Sequence, residues 1–181
     1  MTALPEEIYR KLKKVLAPPI RVTLLTHINP DGDAIGSMLG LYWFLVKKGC
    51  QVSMAVPNNF PHFLDWMEGA DRILIFSKQG AKVKEELQKA DLVFCLDFNE
   101  PGRLEQIQQV LEGLDVTMIL VDHHPEPECT ADLIFSDQEV SSTAELIYQL
   151  IEGLGDVGLI DTQISTCLYV GMMTDTGCFS F

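Results

Sequence analysis

Short apolar, β-branched runs alternate along the chain with longer segments whose apolar residues recur every three or four positions. The short runs predict strands at 21–26, 51–56, 72–76, 92–96 and 116–121. The longer segments predict helices at 5–16, 33–48, 80–90, 103–112, 141–153 and 158–173, with a short helix or loop at 61–70. Strands separated by helices imply an open, mostly parallel sheet with helices on both faces. The sequence therefore predicts one α/β domain over residues 1–181.

Capping residues indicate where some of these helices begin and end. Lys47 and Lys48 followed by Gly49 are typical of a helix C-terminus. Ser142 lies three positions before Glu145, which is the spacing of a capping box at a helix N-terminus.

Composition limits the class of protein. The longest apolar stretch, 39–46, is too short to span a bilayer, so no membrane association is expected. Charged residues interrupt the N-terminal segment, so no secretory signal is predicted. The five cysteines form no CxxC pair, which indicates reduced thiols rather than disulfides or a zinc site. These features favour a cytoplasmic protein. They leave the oligomeric state open, with a homodimer among the options.

The net charge of −13 argues against binding to long nucleic acids, because such binding depends on Lys and Arg that neutralise phosphates. Two interpretations remain open. Either the substrate is not a polyanion, or bound metals and a separate region supply positive charge. The simplest alternative is that the acidity only keeps the protein soluble.

Acidic and imidazole side chains follow three of the predicted strands. Strand 21–26 is followed by His27, Asp31 and Asp33, strand 92–96 by Asp97, and strand 116–121 by Asp122, His123 and His124. Because the carboxyl ends of parallel strands form the ligand-binding edge of a sheet, we expect these side chains to meet there. Asp71, Asp91 and Asp115 instead precede strands, so they are predicted to be solvated turn residues at the opposite edge.

Mixed carboxylate and imidazole ligands without thiolate favour manganese, iron or magnesium. The number of candidate ligands exceeds the needs of one ion, and two ions about 3.5–4 Å apart would use them all. The spacing HxxxDxD allows His27 and Asp31 to face one ion while Asp33 reaches the other, with Asp97 between the two ions. Asp175 is a weaker candidate, because it ends a helix, where a carboxylate is unfavourable unless a cation offsets it.

Each candidate also has a plain structural interpretation. Asp31 and Asp33 stand at a predicted helix start, where N-capping is an equal alternative when either residue is taken alone. Capping does not explain His27 or the matching groups after two other strands. His62 is expected only to pack or to face solvent.

Four motifs together resemble the DHH phosphoesterase superfamily. They are THINPDGDA at 26–34, LD at 96–97, VDHH at 121–124 and MTDTG at 173–177, in the order typical of the family. Within the superfamily, the chain is most similar to the nano-RNase type, which degrades short oligoribonucleotides and removes the 3′-phosphate of 3′-phosphoadenosine 5′-phosphate. The segment SSTAEL at 141–146 favours this type over RecJ-like exonucleases.

The resemblance implies two Mn²⁺ ions, with Mg²⁺ as an alternative. One ion would be bound by His27, Asp31 and Asp97, and the second by Asp33, Asp97, His123 and Asp175. The resemblance also implies that His124 protonates the leaving group and that Asp122 orients His124.

The activity implied is hydrolysis of short single-stranded oligonucleotides or small nucleotides by water that two metal ions activate. An inorganic pyrophosphatase or a cyclic-dinucleotide phosphodiesterase on the same scaffold remains an alternative, and a non-catalytic metal-binding module is a weaker one. Family members carry a second, smaller substrate-binding domain with a Gly-Gly-His motif. This sequence lacks that motif, so we expect residues 1–181 to be the catalytic domain of a longer protein.

Overall fold

The apolar runs of the sequence form a single sheet in the computed structural model, which describes residues 6–180. The strands are β1 Arg21–Thr26, β2 Gln51–Val56, β3 Leu74–Ile75, β4 Leu92–Leu96, β5 Thr117–Asp122 and β6 Leu133–Ser136. Their order across the sheet is β3-β2-β1-β4-β5-β6, and all neighbouring pairs are parallel. The predicted α/β class is therefore confirmed. β1 and β4 lie side by side where the strand order reverses, which is where open α/β sheets bind ligands.

Helices cover both faces of this sheet. They are α1 Glu6–Val15, α2 Gly32–Lys47, α3 Phe76–Lys89, α4 Gln106–Leu111, α5 Thr143–Gly153 and α6 Thr162–Asp175. Successive strand residues point to opposite faces, so Leu24 joins one apolar core and Leu25 joins the other. The larger core contains residues of α1, α2, α5 and α6, and the smaller one contains residues of α3 and α4.

Glycines allow α2 and α6 to cross closely. A Cβ atom on Gly36 would lie 2.6 Å from the carbonyl oxygen of Cys167 and 2.8 Å from the amide nitrogen of Gly171. Any larger side chain would therefore push the helices apart. This crossing sets the position of the first turn of α2, which carries Asp33.

The third strand and the helix after it differ from the prediction of a strand at 72–76 and a helix at 80–90. β3 is only Leu74–Ile75, and α3 begins at Phe76. Gln79 has φ −131° and ψ 31°, so the helix is kinked there, just before Gly80. Gly80 is a residue that usually interrupts a helix, but the chain is helical both before and after the kink.

β6 is missing from the sequence prediction. Parallel strands are usually joined through a helix, whereas residues 123–132, which join β5 to β6, contain none. The four residues of β6 therefore follow no helical pattern that would set them apart.

Two predicted helices have different limits. The segment predicted as helix 103–112 is a 3₁₀ turn, Pro101–Leu104, followed by α4, because Glu105 has φ 49° between them. The sequence pattern predicts the last helix at 158–173, but Asp161 accepts a hydrogen bond from Ile164 N and α6 starts at Thr162. The first position of the predicted helix 5–16 lies outside the described residues. No helix among residues 6–180 is long and apolar enough to cross a membrane, and all five cysteines are free thiols.

Candidate metal centre

The six predicted metal ligands meet in two groups at the carboxyl ends of β1, β4 and β5. In each group, one ligand atom per residue lies within 4.8 Å of the others; the groups are His27, Asp31, Asp97 and Asp33, His123, Asp175. A third group of the same kind, Asp97, His123 and His124, overlaps these two. His27 Nε2 lies 3.5 Å from Asp97 Oδ2, whereas His123 Nε2 lies 3.7 Å from Asp97 Oδ1. The two oxygens of Asp97 therefore face different groups, which is the arrangement that a bridging carboxylate requires.

Asp97 is buried where β4 ends. Its side chain is 3% exposed, and its φ of 65° lies in the left-handed region, which Asp tolerates better than most residues. The Thr143 hydroxyl donates a hydrogen bond to Asp97 Oδ1 over 2.9 Å. Burial alone would raise the pKa of Asp97, but the hydrogen bond and charge of His27 outweigh it and hold that pKa below its usual value. Asp97 is thus the anionic centre of the cluster.

The N-terminus of α5 binds the carboxylate of Asp33. Thr143 N donates to Asp33 Oδ2 over 2.6 Å, and Ala144 N donates to Oδ1 over 2.9 Å. Ser37 Oγ adds a third hydrogen bond, to Oδ1, over 3.2 Å. Each carboxylate oxygen has two lone pairs, so Oδ2 keeps one for a cation. Burial, followed by the charge of Asp97, nevertheless raises the pKa of Asp33 well above its usual value. A divalent ion beside it would remove that penalty.

Asp31 serves as the N-cap of α2, so the capping interpretation of this residue is correct. Its Oδ1 accepts hydrogen bonds from Asp33 N and Ala34 N, each over 3.0 Å. One carboxylate oxygen is enough for this role, and Asp31 still belongs to the ligand group of His27 and Asp97. Capping and metal binding are therefore compatible at this position.

His27 presents Nε2 to the cluster. Its Nδ1 lies 2.7 Å from the carbonyl oxygen of Ile28, which can only accept a hydrogen bond. A proton on Nδ1 leaves the lone pair on Nε2, the atom that faces Asp97. Burial lowers the pKa of His27, but in the protonated imidazolium Nε2–H donates a hydrogen bond to Asp97, and this raises the pKa above its usual value.

Asp122 and His124 form a hydrogen-bonded pair next to the two ligand groups. His124 Nδ1 lies 2.7 Å from Asp122 Oδ1, while Asp122 is fully buried. Burial raises the pKa of Asp122, although its hydrogen bond to His124 opposes the shift. Since Asp122 holds Nδ1, Nε2 of His124 is left for other partners. The side chain of His124 is 41% exposed, so it is accessible from solvent.

Asp175 is the last residue of α6, and its Oδ2 lies 3.6 Å from His123 Nε2. Burial raises its pKa, the imidazole of His123 opposes that rise, and the charges of Asp97 and Asp31 add to it. A carboxylate at a helix C-terminus among other carboxylates is unfavourable by itself. The position of Asp175 therefore fits a metal ligand, because a bound cation would offset its negative charge.

The remaining candidates lie away from this cluster. His62 is exposed and contacts Asp65 at the surface. The three aspartates that precede strands are exposed, as predicted; they are Asp71, Asp91 and Asp115. The two edges of the sheet therefore differ as predicted: the aspartates that precede strands face solvent, and the acidic and imidazole residues that follow strands lie together.

Two residues at the site were not predicted. Thr143 contacts both Asp33 and Asp97, and its only sequence signal is its place in the capped start of α5. Arg103 Nη2 lies 3.0 Å from His27 Nδ1. The signal for Arg103 is that it follows Asp97 within the same strand-end loop.

The donor set fits divalent cations. The two groups supply carboxylate oxygens and imidazole nitrogens without a thiolate, which suits manganese, iron or magnesium. Asp33 and Asp97 are 1% and 2% exposed, so they are not the exposed acidic residues that commonly cluster without an ion. Close, buried carboxylates need compensating positive charge.

Comparison with known proteins finds a family match for this chain. Residues 21–172 match the DHH family, N-terminal domain. The chain is 31% identical to the bifunctional oligoribonuclease and PAP phosphatase NrnA of Thermus thermophilus, over 98% of the chain and 51% of that protein. It is 27% identical to NrnA of Bacillus subtilis, over 88% of the chain and 47% of that protein. The chain thus spans about half the length of these relatives.

Solved structures share the fold. An exopolyphosphatase-related protein from Bacteroides fragilis superimposes with a TM-score of 0.97 and 35% identity, over 100% of this chain and 53% of that one. Exonuclease RecJ bound to manganese superimposes with a TM-score of 0.60 and 19% identity, over 97% of this chain and 45% of that one. The match to the family covers most of the sequence and includes the strands that carry the ligand groups. The chain therefore belongs to the DHH family.

Proposed function

We propose that this chain is the catalytic part of a metal-dependent phosphoesterase that hydrolyses short oligonucleotides or the 3′-phosphate of 3′-phosphoadenosine 5′-phosphate. The observation that carries the proposal is the shared position of Asp97, whose two oxygens face two separate ligand groups. The relatives named as oligoribonuclease and PAP phosphatase support the substrate class. The net charge of −13 also favours short substrates over long nucleic acids.

Two divalent cations, with Mn²⁺ as the first candidate and Mg²⁺ as the second, would activate water and offset charge on the phosphoryl oxygens. One cation would be held by His27, Asp31 and Asp97. The second would be held by Asp33, Asp97, His123 and Asp175. Manganese is favoured because RecJ, which shares the fold, binds it.

His124 is the proposed general acid. Asp122 holds Nδ1 of His124 over 2.7 Å, so Nε2 can give a proton to the oxygen that leaves phosphorus. The 41% exposure of His124 permits contact with a substrate above the ligand groups. Asp122 therefore acts as a positioning residue through His124.

A substrate panel tests the proposal against its alternatives. The full-length protein, loaded with Mn²⁺, is assayed with a diribonucleotide, 3′-phosphoadenosine 5′-phosphate, pyrophosphate, polyphosphate and a cyclic dinucleotide. We expect the first two to be hydrolysed fastest. Faster hydrolysis of pyrophosphate, polyphosphate or the cyclic dinucleotide would contradict the proposed substrate class and identify that compound's class as the substrate. Binding of Mn²⁺ without any hydrolysis would indicate a non-catalytic module.

A further inference from the structure

Arg103 places a positive charge next to the proposed metal centre. Its Nη2 lies 3.0 Å from Nδ1 of His27. Arg103 is exposed, whereas His27 is 3% exposed. The guanidinium group therefore lies between solvent, from which a substrate arrives, and the ligand group that contains His27.

The backbone holds Arg103 in this place. It lies in the 3₁₀ turn Pro101–Leu104, and its amide donates to the carbonyl of Glu100 over 3.1 Å. Its own carbonyl accepts a hydrogen bond from Ile28 N over 2.8 Å, which ties the turn to the loop after β1. Leu104, the next residue, is 3% exposed and anchors the turn in the core.

The side chain of Arg103 turns toward an imidazole in a protein with twice as many acidic as basic residues, 26 against 13. The neighbouring acids Glu100 and Glu105 are exposed. Within residues 6–180, no carboxylate forms an ion pair with Arg103. The charge of this guanidinium is therefore not neutralised by a partner of its own.

Two groups compete for Nδ1 of His27. The carbonyl oxygen of Ile28, at 2.7 Å, can only accept a hydrogen bond, and the guanidinium of Arg103, at 3.0 Å, can only donate one. When His27 binds a cation through Nε2, Nδ1 carries the proton and pairs with the carbonyl. Arg103 then has no acceptor there, and its donors are available to an anion.

We propose that Arg103 binds a phosphate group of the substrate on the His27 side of the metal centre. This inference rests on the proposed function. A guanidinium group can donate two parallel hydrogen bonds to a phosphate, and this geometry makes it a stronger and more selective partner than an ammonium group. Arg103 would thus supply, from this chain, part of the positive charge that the acidic composition lacks.

Arg103→Gln and Arg103→Lys, prepared in the full-length Mn²⁺-loaded protein, test the inference. The measurements are bound Mn²⁺ per chain, the dissociation constant of adenosine 5′-monophosphate, and kcat and KM for a 5′-phosphorylated diadenylate. We expect Arg103→Gln to weaken nucleotide binding and to raise KM about 10- to 100-fold, as for the loss of a charge-assisted hydrogen bond. The amount of bound Mn²⁺ should not change. The nucleotide affinity and KM of Arg103→Lys should lie between those of the wild type and of Arg103→Gln.

Arg10→Gln is the matched control. Arg10 is exposed on α1 and follows Tyr9, which packs against Gly153 at the end of α5 opposite the metal centre. Unchanged nucleotide binding in Arg103→Gln would overturn the inference. Loss of Mn²⁺ in that variant would also overturn it, since Arg103 would then only hold His27 in place. If the wild-type protein hydrolyses no substrate, the proposed function fails, and the nucleotide dissociation constants still decide the role of Arg103.

Discussion

Thr143 donates its hydroxyl proton to Asp97 Oδ1 over 2.9 Å, while its backbone amide donates to Asp33 Oδ2 over 2.6 Å. One residue at the start of α5 therefore orients a carboxylate in each ligand group. The same helix terminus therefore contacts both groups, and its amide groups favour negative charge.

Thr143→Val should weaken metal binding while the fold is retained. Valine keeps the shape and the backbone amide, so Asp33 keeps its hydrogen bond and only Asp97 loses one. We expect about 10- to 100-fold weaker Mn²⁺ affinity, as for other residues that orient metal ligands, measured by titration calorimetry. Thr143→Ser, which retains the hydroxyl, is the control. Equal affinities in the valine and serine variants would show that this hydroxyl does not matter.

His124→Ala should slow turnover without loss of metal, because His124 is proposed to protonate the leaving group. The rate on a diribonucleotide should fall about 10²- to 10⁴-fold. The rate on a p-nitrophenyl phosphodiester should fall far less, since p-nitrophenolate leaves without a proton. His62→Ala, at an exposed histidine, is the control. An equal loss on both substrates would exclude His124 as the general acid.

Gly171→Ala should displace the carboxylate of Asp33. An added Cβ would lie 2.8 Å from Asp33 Oδ1 and 2.6 Å from the Cβ of Ala144, so either α6 or the carboxylate must move. We expect a loss of about 1–3 kcal/mol in unfolding free energy and weaker binding of one of two Mn²⁺ ions. Gly158→Ala is the control, because its added Cβ would meet no atom within 4 Å. Identical Mn²⁺ titrations of the two variants would contradict the close packing at Gly171.

Metal loading should stabilise the protein more as the pH rises. Burial raises the pKa of Asp33 well above its usual value, and burial also raises that of Asp175. In the metal-free protein these groups bind more protons when folded than when unfolded. Their contribution to stability is therefore lost as the pH rises from the usual carboxyl pKa through the raised one. Asp97, whose pKa is lowered, opposes this trend only below the usual range.

A bound cation offsets the loss of folding stability that ionisation of these carboxylates causes. The increase in Tm on adding Mn²⁺, relative to a chelator control at equal ionic strength, should thus be larger at about pH 8 than at about pH 6. The raised pKa of His27 acts in the same direction, because a proton on its imidazole competes with the cation. An increase that is the same at both pH values would contradict the raised pKa values of Asp33 and His27.

The sequence predicts which candidate ligands lie together where local rules apply. His27 and Asp97 each follow directly after a buried strand, and the parallel sheet places those ends together. Thr143 could not be predicted in the same way, because its contacts to Asp33 and Asp97 span 110 and 46 positions. They depend on how α5 packs against α2 and the strand ends, which no local pattern encodes.

The errors in the predicted fold have similar causes. The prediction missed β6 because its four residues carry little pattern of their own and pair with β5 only through tertiary structure. It started α3 too late because Gly80 breaks a helical pattern, whereas the folded chain absorbs the break as a kink at Gln79. Neither error affects the ligand groups, since β1, β4 and β5 position them.

Counting bound Mn²⁺ in the wild type and in Asp97→Asn tests the two-metal centre most directly. Asparagine tolerates the left-handed φ of 65° at this position and keeps the hydrogen-bonding shape, so the variant should fold. It lacks the charge that both ligand groups share. We predict about two tightly bound Mn²⁺ ions per wild-type chain and a loss of affinity at both sites in the variant. Two tightly bound ions in Asp97→Asn would contradict the bridging role of Asp97.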